Sequence, residues 1–190
     1  MSDPVLPLGG TQYEGLVDVR EAGPQGMIAL RGNLADASLQ EAVTSLTGLP
    51  MPDMRGAQVL GESGVLWMSP DELLLLVPYR QAARVCAQLS EALQGQLALV
   101  ENVSDMRAMF RLRGTQLRDV LAKLAPVDFA RDALPVGELR RTRFAQVAAG
   151  VWFSDDTTAQ VFCFRSVAEY MFNLLCTAAD PDAFVGFHAG

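Results

Sequence analysis

Arg107, Arg111, Arg113, Arg141 and Arg143 are the residues whose types and spacing could do chemistry together. Between Ser104 and Leu124 the apolar residues Met106, Ala108, Phe110 and Leu112 alternate with Arg107, Met109, Arg111 and Arg113. A period of two is that of a strand with one buried face, so the first three arginines share the other face. Arg141 and Arg143 share a strand face by the same rule. If the two strands are neighbours, the five guanidinium groups form a cationic patch. Such a patch could hold a phosphate, a carboxylate-rich cofactor or an acidic partner surface. The alternative is a solvated sheet face with arginine stems lying over apolar neighbours.

Other reactive side chains are sparse. His188 is the only histidine and lies at the end of the chain, where it is expected to be solvated. Histidine is the commonest general base and metal ligand, so chemistry here would have to use carboxylates, a thiol or a bound cofactor. Cys86, Cys163 and Cys176 form no C-x-x-C pair and fall on apolar stripes, as small core hydrophobes do. Asp155-Asp156 could pair as acid and base, but Ser154–Thr158 (SDDTT) has the composition of a turn. Trp67 and Trp152 occupy comparable strands and read as core or rim residues rather than as a stacking platform for a cofactor. No dinucleotide fingerprint, phosphate-binding loop or nucleophile elbow is present. The residues themselves therefore assign no catalytic, cofactor-binding or metal site.

The elements around the arginines repeat. After Gly114 the period changes, and Leu117, Val120, Leu121 and Leu124 form a helical stripe. Met27–Arg31, Gly32 and the stripe Leu39, Ala42, Val43 and Leu46 give the same strand, glycine and helix earlier in the chain. A hairpin follows there, Ala57–Leu60 with Val65–Met68, then the apolar run Leu73–Val77 and a helix over about residues 80–94. The later copy continues with a long strand over Leu139–Phe153, a strand over Ala159–Phe164 and a helix over Val167–Ala178. This order predicts an α+β fold of two pseudo-repeated strand–helix–strands–helix units. The parts are residues 1–25, an arm and first strand; 26–103, the first repeat; 104–179, the second; and 180–190, a loose tail. Capping boxes are expected at Ser38/Glu41 and Ser166/Glu169. Ser69-Pro70-Asp71-Glu72 reads as a tight turn, and Leu73–Val77 as a central strand covered on both faces.

Net charge is −7, with every surplus acid in the first half: residues 1–103 hold 5 arginines against 12 acids, and 104–190 hold 9 arginines and Lys123 against 10. General binding to nucleic acid needs a basic surplus and is not expected. No apolar run approaches the roughly 20 residues that cross a bilayer. Met1–Pro4 lacks the pattern of a signal peptide, and the reading is a cytoplasmic protein without a membrane partner.

Val103–Asp128 is similar to the opening of the glycine-cleavage T-protein (aminomethyltransferase) superfamily. Leu66–Leu74 (LWMSPDELL), Pro135–Gln146 (PVGELRRTRFAQ) and Cys163–Ser166 with Tyr170 extend the likeness over about residues 26–179. In that order they resemble the gamma subunits of heterotetrameric sarcosine oxidase. The resemblance implies a folate-binding T-protein-like fold and a complex with alpha, beta and delta subunits. FAD, FMN, NAD and tetrahydrofolate would be carried by those partners and none by this chain. The complex would demethylate sarcosine to glycine, reduce oxygen to hydrogen peroxide and pass the one-carbon unit to tetrahydrofolate. The folate enzymes place acids in an active hairpin. The corresponding Ala148–Phe153 offers no carboxylate, so no catalytic residue carries over. Two other readings are a free-standing folate-binding transferase and a regulatory domain that dimerises through a sheet edge.

Overall fold

Period-two alternation closes strands only where a neighbouring strand takes up the backbone hydrogen bonds, and this chain supplies such neighbours in two sheets. A computed structural model describes residues 4–187. In chain order the strands and helices are β1 (Gln12–Glu14), β2 (Asp18–Glu21), β3 (Gln25–Arg31), α1 (Ala37–Thr47), β4 (Ala57–Leu60), β5 (Ser63–Ser69), β6 (Glu72–Pro78), α2 (Ala82–Ala92), β7 (Leu99–Asn102), β8 (Arg107–Arg113), α3 (Leu117–Ala122), β9 (Leu139–Phe144), β10 (Val147–Asp155), β11 (Thr158–Phe164) and α4 (Ala168–Ala178). The fold is α+β. One unit comprises Gln25–Ser104, and the other joins Met1–Pro24 to Asp105–Gly190.

The Gln25–Ser104 unit has a five-stranded sheet in the order β4-β5-β6-β3-β7, all pairs antiparallel. Leu73–Val77 is buried throughout and lies at its centre, as the unbroken apolar run predicts. α1 and α2 cover one face, with Leu39, Val43, Val85 and Leu89 packed on Ile28, Leu30, Leu73 and Leu75. The Pro70-Asp71 turn joins β5 to β6. The cap of α1 differs from expectation. Asp36, not Ser38, is the N-cap, and its Oδ1 accepts from the amides of Ser38 (2.9 Å) and Leu39 (3.4 Å). A carboxylate two residues upstream captures the first amides before the serine can.

The other unit has a six-stranded sheet in the order β1-β2-β8-β11-β10-β9. Val19, Phe110, Leu112, Val151, Phe153 and Val161 pack on one face with Leu117, Val120 and Leu121 of α3 and Met171 and Leu175 of α4. The N-terminal arm is fixed by Glu21. This buried carboxylate accepts from the amides of Leu8 (3.0 Å) and Gly10 (2.7 Å). The long strand expected over Leu139–Phe153 is a hairpin, β9 and β10. Ala145 turns the chain with φ 48°, and its N–H donates to the carbonyl of Leu124 (2.8 Å). Ser166 does not cap α4. Arg165–Val167 forms a 3-10 turn, and the N-cap residue Val167 has no side-chain acceptor. The tail is held as far as Ala183. Pro181–Ala183 is a 3-10 turn, and Lys123 Nζ donates to the carbonyls of Ala178 (2.9 Å) and Ala183.

Residues 123–138 connect α3 to β9. Phe129 and Leu134 of this connection are buried, and the guanidinium of Arg118 holds it in place. Arg118 Nη1 donates to the carbonyls of Phe129 (2.6 Å) and Leu134 (3.0 Å), and its Cζ lies 4.0 Å from the centre of the Phe153 ring. Arg118→Met keeps the stem but leaves both carbonyls without their donor. It is expected to lower stability by about 3 kcal/mol in urea unfolding, with early proteolytic cleavage within residues 126–138.

Candidate functional site

β8 places Ala108, Phe110 and Leu112 in the helix-covered core, so Arg107, Arg111 and Arg113 share the opposite face as their spacing requires. Arg141 and Arg143 share the corresponding side of β9. The two strands are not neighbours. β11 and β10 lie between them, a separation of about 14 Å at the usual strand spacing. The five arginines therefore do not form one patch.

They divide into three groups with different surroundings. Arg107 is half-buried, with its guanidinium 5.2 Å from the centre of the Phe162 ring and 5.5 Å from that of Phe164. This cation–π sandwich spends the charge locally. On β9, Arg143 is hydrogen-bonded to the side chain of Gln146. Arg111 and Arg113 are exposed, and β2 brings a third arginine to them. Arg20 is the direct cross-strand partner of Arg111, and Asp18 that of Arg113. Sequence reasoning missed Arg20 because it depends on β2 pairing with β8. The parity of Val17, Val19 and Glu21, all buried, is the signal that places Arg20 opposite them.

The aromatic residues on this face are structural. Trp152 is 2% exposed and packs 6.1 Å from Phe162, so its ring is not open to a ligand. Gly150 lies directly under Phe162, where an added Cβ would stand 2.3 Å from the ring. In the other unit, Trp67 packs against the α1/α2-covered core. At the end of β11, Pro7, Met106, Phe164, Arg165 and Ser166 line an open cleft of about 640 Å³. Arg165 Nη2 donates to the carbonyl of Val5 (2.7 Å) beside it.

The paired acids Asp155 and Asp156 are engaged in the fold, and Cys163 is buried in it. Asp155 Oδ1 accepts from the amide (2.8 Å) and hydroxyl (2.9 Å) of Thr157, and these hydrogen bonds hold its carboxyl below the usual range. Asp156 pairs with Arg131. Burial pushes the Cys163 thiol up to about 12, more than the nearby Arg107 can offset. Burial also raises Cys86 and Cys176. Among the described residues no group of three or more His, Cys, Asp or Glu could hold a metal ion. His188 lies outside the described residues. No helix among them is long and apolar enough to cross a membrane.

The model of the sarcosine oxidase, gamma subunit family matches residues 31–181. The chain belongs to the sarcosine oxidase gamma subunit family. It is 30% identical over 167 residues to sarcosine oxidase subunit gamma of Corynebacterium sp. (strain P-1), covering 86% of this chain and 80% of that one. A chain of the heterotetrameric sarcosine oxidase from Corynebacterium sp. U-96, solved in complex with pyrrole 2-carboxylate, superposes with a TM-score of 0.79 at 24% identity. That match covers 89% of this chain and 86% of the other. The aminomethyltransferase T of the glycine cleavage system from Bartonella henselae shares the fold at a TM-score of 0.61 and 16% identity, over 82% of this chain and 44% of that one. The gamma-subunit and T-protein likenesses read from the sequence are thus both present in the fold.

The thiols give a direct check on the placement of β11. With a cysteine-specific alkylating reagent at neutral pH, Cys86 and Cys176 should react well before Cys163, with mass mapping as the readout. Unfolded Cys163 ionises near 9.0, whereas the native thiol stays protonated to about 12, so its contribution makes stability fall as pH rises through that interval.

Proposed function

We propose that this chain is a non-catalytic assembly subunit of a heterotetrameric sarcosine oxidase. Its partners are the alpha, beta and delta subunits, in the cytoplasm. FAD, FMN, NAD and tetrahydrofolate are held by those partners. The assembled complex oxidises the N-methyl group of sarcosine by two electrons, passes that carbon to tetrahydrofolate with release of glycine, and transfers the two electrons to oxygen to give hydrogen peroxide.

The observation that carries this reading is the family match over residues 31–181. The chemistry of the side chains supports the division of labour. The hairpin segment Ala148–Phe153 presents apolar residues and a glycine pressed against Phe162, with no acid to move a proton. Asp155 serves its turn and Asp156 pairs with Arg131. Cys163 is buried and protonated, so it is a poor nucleophile. The exposed charges and apolar side chains of this chain are better suited to contact than to catalysis.

Affinity purification of the tagged chain from its own cells tests the proposal. Three further subunits should co-elute, with a flavin band near about 450 nm in the visible spectrum and sarcosine-dependent peroxide formation. A colourless chain that elutes alone at low salt would overturn it. Oxidation of sarcosine by the purified chain alone would overturn the non-catalytic assignment.

A further inference from the structure

Like charges directly opposite one another on adjacent strands repel, and antiparallel sheets normally avoid the arrangement. β2 and β8 adopt it. Arg20 and Arg111 are cross-strand partners, Arg113 follows two residues along β8, and all three side chains are exposed on the face away from α3 and α4. None of the three makes an ion pair or side-chain hydrogen bond among the described residues. Asp18 is the cross-strand partner of Arg113 but forms no ion pair with it. The contrast with the rest of this unit is sharp. Arg131 pairs with Asp156, Arg140 with Glu138, Arg143 bonds Gln146, and Arg165 bonds the carbonyl of Val5.

The chain is not short of carboxylates, since its net charge is −7. Carboxylates stand on the same face, Asp18 opposite Arg113 and Glu14 opposite Asp18, yet among the described residues neither forms an ion pair with the three arginines. The three arginines stand at backbone positions fixed by two hydrogen-bonded strands, and each guanidinium fork matches a carboxylate bidentately. An acidic partner is repelled by the acidic surplus of residues 1–103 and attracted here, which favours one orientation of docking as well as its rate. A long phosphate polymer would meet the same overall repulsion without the match to separate carboxylates.

We propose that Arg20, Arg111 and Arg113 form the docking patch for an acidic segment of a partner subunit. This rests on the assembly role above. The test uses the complex, with the tagged chain co-expressed with the other subunits. Three chains are compared: wild type, the triple variant Arg20→Gln, Arg111→Gln, Arg113→Gln, and the control Arg84→Glu on α2.

Removing the repulsion should leave the triple variant melting at or above the wild-type temperature, yet it should retain about tenfold less of its partners at roughly physiological salt. The wild-type complex should also loosen as salt rises, and Arg84→Glu should assemble as wild type. Triple-charge reversal to glutamate should lose the partners altogether. A folded triple variant that assembles like wild type overturns the patch and leaves the assembly role standing. A wild-type chain that retains no subunit overturns both. Retention of nucleic acid in place of protein would assign the arginines to phosphate and overturn the acidic-segment proposal.

Discussion

The buried guanidinium of Arg118 is the interaction on which the six-stranded sheet depends. A charge taken out of water must be matched by hydrogen bonds, and the carbonyls of Phe129 and Leu134 together with the face of Phe153 provide the match. Burial and the nearby charge of Arg131 lower its pKa, with Asp156 acting in the other direction, but a guanidinium so far above neutrality stays protonated. Its two acceptors belong to the connection between α3 and β9. Two local bonds help shape that connection: Asp128 Oδ1 accepts from the amide of Ala130, and Arg140 Nη2 donates to the carbonyl of Ala133. With residues 129–134 fixed on α3, the chain is delivered to the far edge of the sheet, where β9 pairs with β10. The separation of the β8 and β9 arginines follows from that delivery.

The two units solve the same problem with the same parts. β3, α1, β4, β5, β6 and α2 correspond in order to β8, α3, β9, β10, β11 and α4, and the sheets run β4-β5-β6-β3 and β9-β10-β11-β8. Each central hairpin has its irregularity at the same place, between Trp67 and Ser69 in one and between Phe153 and Asp155 in the other. Each final helix is entered through a 3-10 turn, Tyr79–Gln81 or Arg165–Val167. The difference is the strand beside the first one. β7 follows α2 in the chain and pairs with β3, whereas the matching place beside β8 is taken by β2 from the N-terminal segment. A duplication read by order alone cannot reveal this, because the strand that completes the second sheet precedes both repeats.

The fold was legible where a feature depends on local period or on strong turn formers. β8, the buried run of β6 and the Pro70-Asp71 turn are of this kind. It was not legible where competing local groups or distant pairings decide. Asp36 outcompetes Ser38 for the first amides of α1 because it stands earlier and is ionised. Ala145 makes a turn without glycine, proline or asparagine, and its donation to Leu124, remote in sequence, stabilises the reversal. The arginine patch was half legible. Parity gave Arg107, Arg111 and Arg113 one face, but only the sheet order shows that Arg20, and not Arg141 or Arg143, joins them.

The same logic separates the arginines by use. Arg107 lies over two phenylalanine rings, Arg118 is buried in a carbonyl cage, and Arg143 bonds a neighbouring glutamine; each is accounted for by stability within the chain. Arg20, Arg111 and Arg113 carry an unfavourable juxtaposition with no internal return. A repulsive exposed pair that a neutral substitution would relieve is a small cost to the isolated domain. On the docking proposal above, that cost is offset when an acidic segment of another subunit covers the three arginines.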